Sequence, residues 1–320
     1  MAQENGFMDF TAHPPVLLLG MHRSGTTLMT RLLSDLGLFT GAWISRNHEA
    51  HYFLDCNEWA LQKAGGAWDY IHPFERVLQQ PAVRDELVER FRAYLASWHF
   101  VEFAGLRRRS WFTKNPWGWK DPRSIVVLPI WLRVFPRARL LYITRNGIDV
   151  ANSIHKLSCD SLKGRETPFT PAPLKHRLGG VIRSFDKHGS RSVRCLDWGE
   201  SFTLWEEYCE VAEKYFESYD GPKQRIRFED LLADPEPKLT AAADFCGLTA
   251  EASVVASISA STRSDRGYAF LRSPGSASES THRDEATPPF KQHADLLRRS
   301  TWLPRLGYED VLDALDRDVS

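Results

Sequence analysis

The residues best suited to chemistry form one short segment near the start of the chain. It reads Gly20-Met-His-Arg-Ser-Gly25-Thr26-Thr27 and separates an apolar run from leucines at helical spacing. A strand, a glycine-bounded turn and a helix in this order direct backbone N–H groups and the positive end of the helix dipole toward one point. The segment predicts an anion site with Arg23 as its cation, against the alternative of a glycine turn without a ligand.

The phosphate-binding loop of ATP-dependent kinases has a similar spacing, G-x-x-x-x-G-K-[ST], but differs at one position. Here Thr26 occupies the place of the lysine that neutralises the β- and γ-phosphates in kinases. No persuasive Mg²⁺-binding aspartate follows a strand. A P-loop kinase is therefore the second enzyme hypothesis, and it predicts Mg²⁺-dependent turnover of ATP.

A second anion-binding element is predicted about 120 residues after the first. Arg145 directly follows the apolar segment Arg139–Thr144, and Ser153 lies two turns into the next predicted helix. A guanidinium at the carboxyl end of a strand and a hydroxyl on the following helix can converge on one anion. In the alternative interpretation, Arg145 binds helix carbonyls and Ser153 caps the helix locally.

Together these two elements resemble the sulfotransferases that use 3′-phosphoadenosine 5′-phosphosulfate (PAPS) as donor and release PAP. The resemblance covers most of residues 14–250 and implies a metal-free sulfotransferase with a PAPS site. It assigns the 5′-phosphosulfate to the first element and the 3′-phosphate to Arg145 and Ser153. A returning basic loop is also implied, although the family's usual RKG triplet is absent. The residues assigned to the donor are Arg23, Ser24, Gly25, Thr26, Thr27, Arg145, Ser153, Arg263, Arg266 and Gly267.

The catalytic base is implied by a likeness to the E-x-H-F-F-like segment of carbohydrate sulfotransferases. In Asn47-His-Glu-Ala-His-Tyr-Phe53, Glu49 aligns with the base and His51 is its neighbour. A glutamate in this role needs a raised pKa, or must exchange its proton as charge develops. The alternative role of Glu49 is helix capping, and His22, His48 and His51 are rival bases.

The segment Trp117-Gly-Trp-Lys-Asp-Pro-Arg123 resembles the K-x-P segment of carbohydrate sulfotransferases. The resemblance assigns Lys120 to the sulfuryl group and the leaving oxygen, beside Arg23. Asp121 could orient either cation, and Arg123 could bind an acidic acceptor or a phosphate of the donor. The alternative is a Lys120–Asp121 pair at the surface, which would contribute little.

Alternating strands and helices must position these segments. Strands are predicted at Val16–Leu19, Arg139–Thr144 and 224–228, the last less buried. Their alternation with helices predicts an α/β fold: a P-loop-like parallel β-sheet flanked by helices on both faces. One domain, 14–320, is expected after an N-terminal tail, 1–13, with a loop or lid at 156–189 and a mobile serine-rich loop at 273–281. The predicted helices are 27–36, 51–64, 83–103, 122–134, 147–155, 202–219 and 235–246.

Composition narrows the class of protein. The 41 basic and 41 acidic residues among 320 exclude a generally polybasic nucleic-acid binder. No apolar run approaches the roughly 20 residues that span a bilayer, so no integral membrane segment is predicted. The five scattered cysteines show no metal-ligand spacing, and no secretory signal is visible. We therefore expect a cytoplasmic protein with reduced thiols and no metal site.

The acceptor is predicted to be a hydroxyl of a small molecule or a carbohydrate. Tryptophans near the catalytic segments could stack on it, and two or three at most are expected to do so. A non-catalytic protein that binds PAP or PAPS is the third hypothesis, and oligomeric state has no signal in the sequence. The candidate acceptor tryptophans are Trp43, Trp68, Trp111, Trp117 and Trp119, whereas Trp59, Trp131, Trp198 and Trp205 are expected in the core.

Overall fold

The structure, a computed structural model, describes residues 13–163, 192–262, 266–271 and 289–317. Its centre is a four-stranded sheet in the order β2-β1-β3-β4, with every neighbouring pair parallel. The carboxyl ends of all four strands therefore meet at one edge of the sheet. The strands are β1 (Val16–Leu19), β2 (Gly118–Lys120), β3 (Arg139–Thr144) and β4 (Lys223–Arg227).

A helix follows each strand. Within the described residues they are α1 (Thr26–Asp35), α2 (His51–Lys63), α3 (His72–Val77), α4 (Pro81–Ala96), α5 (Val101–Ala104), α6 (Ser124–Val134), α7 (Gly147–Lys163), α8 (Trp198–Ser218), α9 (Phe228–Ala233), α10 (Pro235–Cys246), α11 (Ala252–Ser259), α12 (Pro289–Gln292), α13 (Ala294–Arg299), α14 (Trp302–Arg305) and α15 (Glu309–Arg317). Short 3₁₀ turns occupy Trp98–Phe100, Arg109–Trp111, Arg194–Leu196 and Ala269–Leu271. None of these helices is long and apolar enough to cross a membrane.

The strands divide the core into two layers, because alternate residues of a strand point to opposite faces. Leu17 and Leu19 of β1 pack with α2, α4, α6, α7 and α8. Val16 and Leu18 pack on the other face, against α1, α9, α10 and α11. This confirms the α/β prediction of a parallel sheet with helices on both faces. The lower burial predicted for the last strand is also confirmed, because four of the five residues of β4 are only half-buried.

Most predicted boundaries lie within a few residues of the observed ones, and two predicted elements differ more substantially. The helix predicted over 83–103 is interrupted at Ser97, where the backbone becomes extended and the hydroxyl accepts the backbone N–H of His99. The loop predicted at 156–189 is wrong for its first part, because α7 continues to Lys163. The remainder of that loop, the tail up to residue 12 and the serine-rich loop lie outside the described residues.

Two of the tryptophans proposed for the acceptor belong to the core instead. Trp117 and Trp119 are fully buried, and Trp119 stacks on Phe53 with ring centroids 3.8 Å apart. They cannot touch an acceptor without disrupting this aromatic layer. Conversely, Trp59 was expected in the core and is 36% exposed, whereas Trp43 is exposed as an acceptor contact would require.

Candidate active site

A cleft of about 520 Å³ lies at the carboxyl edge of the sheet. Four of its lining residues stand at or just beyond strand ends: Arg23 after β1, Lys120 at the end of β2, Arg145 after β3 and Phe228 after β4. Ligands of open parallel sheets bind in such a position. The cleft brings together eight residues predicted from the sequence: Arg23, Gly25, Thr26, Thr27, Glu49, Lys120, Arg145 and Arg266.

The loop between β1 and α1 adopts a tightly constrained backbone. Arg23 has φ of 69° and Gly25 has φ of 90°, both in the left-handed region. For a residue with a Cβ atom this conformation costs about 1–2 kcal/mol. In the described part of the chain, the other non-glycine residues with positive φ are His48, which lines the same cleft, and Tyr268, which lies between lining residues Arg266 and Ala269. Strain of this kind accumulates at binding and catalytic sites.

Gly25 is required for a steric reason as well as a conformational one. A Cβ atom at this position would lie 2.1 Å from the ring of Phe228, which is itself buried. We expect Gly25→Ala to lower the free energy of unfolding by about 1–3 kcal/mol more than Gly37→Ala does. Gly37 is the matched control, since its φ of 105° is also left-handed and nothing lies within 4 Å of its Cβ position. Urea unfolding of both variants tests this, and equal losses would contradict the packing of Phe228 against the loop.

The two predicted anion-binding elements meet in the structure. Arg145 Nη1 donates to the carbonyl oxygen of Arg23 at 3.1 Å, and Arg23 Nε donates to Ser153 Oγ at 2.7 Å. Ser153 therefore contacts Arg23, whereas the sequence paired it with Arg145. Arg145 Nη2 donates to Asp149 at 3.0 Å and to the carbonyl oxygen of Arg266 at 2.8 Å. Arg145 thus ties the first loop to a later segment of the chain.

The segment around Arg266 is held over α7 by one carboxylate. Asp149 accepts the backbone N–H groups of Ala269 and Phe270 at 3.1 and 3.0 Å. This placement agrees with the expected return of a basic loop to the cleft. Gly267 is half-buried beside Arg266, and Arg263 lies outside the described residues.

Glu49 and Lys120 form a buried ion pair in the cleft. Lys120 Nζ lies 2.9 Å from Glu49 Oε1, and both side chains are almost fully buried. Ser45 Oγ donates to the second oxygen of Glu49 at 3.2 Å and also accepts its backbone N–H. The short loop before α2 therefore orients the carboxylate toward Lys120. The alternative of a Lys120–Asp121 surface pair is wrong.

The charges around Glu49 decide its protonation state. Burial by itself would raise the pKa of Glu49, but Lys120, Arg123 and the hydrogen bonds together hold that pKa below its ordinary value of 4.5. The carboxylate is therefore ionised at neutral pH, and the raised pKa considered from the sequence is not found.

The rival bases differ in position and charge. Burial and the neighbouring cations Arg123, Lys120 and Arg23 hold the pKa of His22 well below its ordinary value. Burial and cations also lower the pKa of His48. His22 and His48 line the cleft, whereas His51 is half-buried at the start of α2 and is not part of the described lining.

A buried network fixes the turn that follows Lys120. Asp121 is fully buried and accepts hydrogen bonds from Arg123 Nη1 at 2.9 Å and from Asn57 Nδ2 at 2.7 Å. Asn57 in turn accepts the indole N–H of Trp131 at 2.7 Å. Arg123 is therefore held by Asp121, is buried, and lies outside the described lining of the cleft. Its charge still lowers the pKa values of Glu49 and His22.

The cleft is strongly cationic. Burial and the nearby charges of Arg145 and Arg266 lower the pKa of Arg23, as expected for cations gathered without an equal number of anions. Sequence reasoning missed Arg31, Arg46 and Phe228, which also line the cleft. Arg31 had a local signal, since it stands one helical turn after Thr27. Among the described residues of the lining, the cations are Arg23, Arg31, Arg46, Lys120, Arg145 and Arg266, and the one carboxylate is that of Glu49.

Comparison with known proteins identifies the class. Residues 14–252 match the family model described as "Sulfotransferase family", and this is well over half of the chain. The protein therefore belongs to the sulfotransferase family. A search of curated proteins gives no match.

Three solved structures illustrate the similarity. The sulfotransferase domain of the curacin biosynthetic pathway is 15% identical, covers 76% of each chain and has a TM-score of 0.43. A sulfotransferase of Mycobacterium tuberculosis is 16% identical, with 79% of this chain and 72% of that one covered and a TM-score of 0.42. The sulfotransferase domain of a Synechococcus olefin synthase is 14% identical, covers 76% of each chain and has a TM-score of 0.43.

Proposed function

We propose that the protein transfers a sulfuryl group from PAPS to a hydroxyl of a small-molecule or carbohydrate acceptor. The observation that carries this proposal is the buried Glu49–Lys120 pair, which lies in the same cleft as the left-handed Arg23 loop and Arg145. A carboxylate, an ammonium and an anion-binding loop are the groups that metal-free sulfuryl transfer requires.

The cationic lining fits a donor that carries negative charge at two separated positions. Arg23 and the backbone from Ser24 to Thr27 would hold the 5′-phosphosulfate, at the start of α1. Arg145, with Ser153 nearby, would hold the 3′-phosphate. Arg145 Nε supports this assignment, because it is a buried donor with no partner among the described residues. Arg266 would add a further positive charge from the returning segment.

Glu49 and Lys120 have different roles in the proposed transfer. Bound PAPS supplies an activated sulfuryl group, whose bond to the phosphate oxygen breaks as the acceptor oxygen attacks. Glu49 takes the hydroxyl proton of the acceptor on a carboxylate oxygen. Lys120 and Arg23 stabilise the negative charge on the sulfuryl and leaving oxygens.

The ion pair also makes the basicity of Glu49 depend on whether the donor is bound. When Lys120 turns from Glu49 toward an incoming anion, the carboxylate loses its largest stabilising charge and remains buried. Its pKa then rises, so Glu49 becomes a stronger base when the donor is in place. This linkage reconciles a lowered pKa in the free protein with a role in proton transfer.

The donor assignment is tested by a thermal-shift titration with PAP, ADP and ATP plus Mg²⁺. At a hundredfold excess over Kd, a ligand specific for the folded state adds about 2.7 kcal/mol of stability. We expect a clear shift with PAP and a much smaller one with ADP, since only PAP carries the 3′-phosphate.

Arg145→Gln should remove most of the difference between the thermal shift caused by PAP and the thermal shift caused by ADP. Arg133→Gln is its control, because Arg133 is exposed and pairs with Asp85 outside the cleft. A shift with Mg²⁺ and ATP but none with PAP would refute the donor assignment and revive the kinase hypothesis. A PAP shift without transfer to any acceptor would favour a non-catalytic binding protein.

A further inference from the structure

A group of exposed apolar side chains lies outside the cleft. Trp43 and Ile44 belong to the loop after α1, and Trp98, Val101 and Leu106 belong to the segment between α4 and the turn that follows α5. Trp98 is 74% exposed and Leu106 is completely exposed. We call these five side chains the exposed apolar patch. Large apolar side chains exposed on neighbouring segments indicate an interaction surface.

The two segments that carry the patch pack against each other. The backbone N–H of Ala42 donates to the carbonyl oxygen of Phe103 at 2.8 Å, and a Cβ atom on Gly105 would lie 3.0 Å from Ala42. Arg109 Nη2 donates to the carbonyl oxygens of Ala96 and Ser97, each at 2.7 Å. These contacts hold residues 42–44 and 96–109 together as one surface region.

Basic residues border the apolar side chains. Arg107 and Arg108 directly follow Leu106 and are exposed, and Lys114 is exposed further on. Glu102 is the one acidic residue between 97 and 114. This excess of positive charge is local, because the whole chain is balanced. Tryptophan and leucine side chains flanked by arginines suit the boundary between acyl chains and anionic headgroups.

We propose that the exposed apolar patch docks on an anionic lipid surface. Charge complementarity favours this occupant over a second copy of the chain, which would bring the same cations together. The patch is also joined to the loop that carries Glu49. The carbonyl oxygen of Trp43 accepts the backbone N–H of His51, and Ile44 pairs with Ala50 in a β-bridge. Docking would therefore place the segment that holds Glu49 beside the lipid surface.

Vesicle co-sedimentation of the full chain tests this proposal independently of any enzymatic activity. We expect binding to vesicles of mixed phosphatidylcholine and phosphatidylglycerol, and much weaker binding to phosphatidylcholine alone. Leu106→Ser should lower the partition coefficient at least about tenfold, because one large apolar side chain is no longer transferred from water. Arg108→Gln should lower it about fivefold, and added salt should reduce that difference.

Matched controls are provided by exposed apolar residues elsewhere. Val193 and Val254 are exposed at distant positions in the chain, and Val193→Ser and Val254→Ser should bind vesicles as the unaltered protein does. Absence of binding to anionic vesicles, or equal losses in the control variants, would overturn the proposal. So would concentration-dependent self-association in sedimentation velocity that Leu106→Ser abolishes, because the patch would then be covered by a second copy.

Discussion

Glu49→Gln is expected to lower the turnover of sulfuryl transfer by roughly 10²- to 10⁴-fold, the range that a general base contributes. The amide keeps the shape of the side chain and can still accept a hydrogen bond from Lys120, but it cannot take up the acceptor's proton. The assay is initial-rate transfer with PAPS and any accepted hydroxyl compound. The PAP thermal shift should persist, since the phosphate-binding residues are unchanged.

The control for this variant is Glu58→Gln, which removes a carboxylate from α2 outside the described cleft lining. Its turnover should be unaltered. In the unaltered protein, kcat/KM for PAPS, which reports the free enzyme, should be flat across neutral pH and fall only in acid, because Lys120 and Arg123 hold the pKa of the free carboxylate below its ordinary value. Turnover of Glu49→Gln within a few-fold of normal would exclude Glu49 as the base and direct attention to His22 and His48.

Lys120→Met is expected to lower the free energy of unfolding by about 3–5 kcal/mol at pH 7, and to abolish turnover. The loss follows because Glu49 remains buried and ionised without its partner. Burial then raises the pKa of Glu49 above the value in the unfolded chain. The variant should therefore regain stability relative to the unaltered protein as the pH falls through that raised pKa toward the pKa of the unfolded chain, because the folded state takes up the proton first. Urea unfolding at pH 7 and pH 5 measures this.

The double variant Glu49→Gln with Lys120→Met separates loss of charge balance from loss of packing. With both charges removed, stability at pH 7 should return most of the way to that of the unaltered protein, and its dependence on pH in this range should disappear. If the double variant is as unstable as Lys120→Met alone, the loss comes from the missing side-chain volume and the ion-pair account is wrong.

Much of the fold could be predicted because its signals are local. The apolar run of β1, the glycine turn and the leucines of α1 follow one another in sequence, as do β3, Arg145 and α7. The full length of α7 was missed for an identifiable reason. Ser158 is buried in its continuation, where its hydroxyl accepts the backbone N–H of Ser192. A buried serine interrupts the apolar periodicity on which helix prediction depends.

Pairings between distant residues could not be predicted. Glu49 and Lys120 each have a local motif, but nothing near either residue shows that the two side chains meet in a buried ion pair. The direction of the Glu49 pKa shift depends on that meeting. Phe228 is a similar case, because its role in requiring Gly25 arises only when β4 joins the sheet. Trp117 and Trp119 were misjudged because burial depends on Phe53 and Trp131 covering Trp119, and on Phe103 and Phe112 covering Trp117.

The order of the strands also determines when this site comes into existence. β1 pairs with β2, which lies about a hundred residues later, and with β3, which lies later still. During synthesis, β1 therefore cannot form either pairing until these later strands have been made. Such long-range closures are entropically costly and slow folding. A nascent chain that has reached only β2 has Arg23 and Lys120 but no Arg145. The cleft is thus completed late, after helices near the N-terminus have had time to form, and an incomplete chain that ends before β3 lacks the Arg145 side of the cleft.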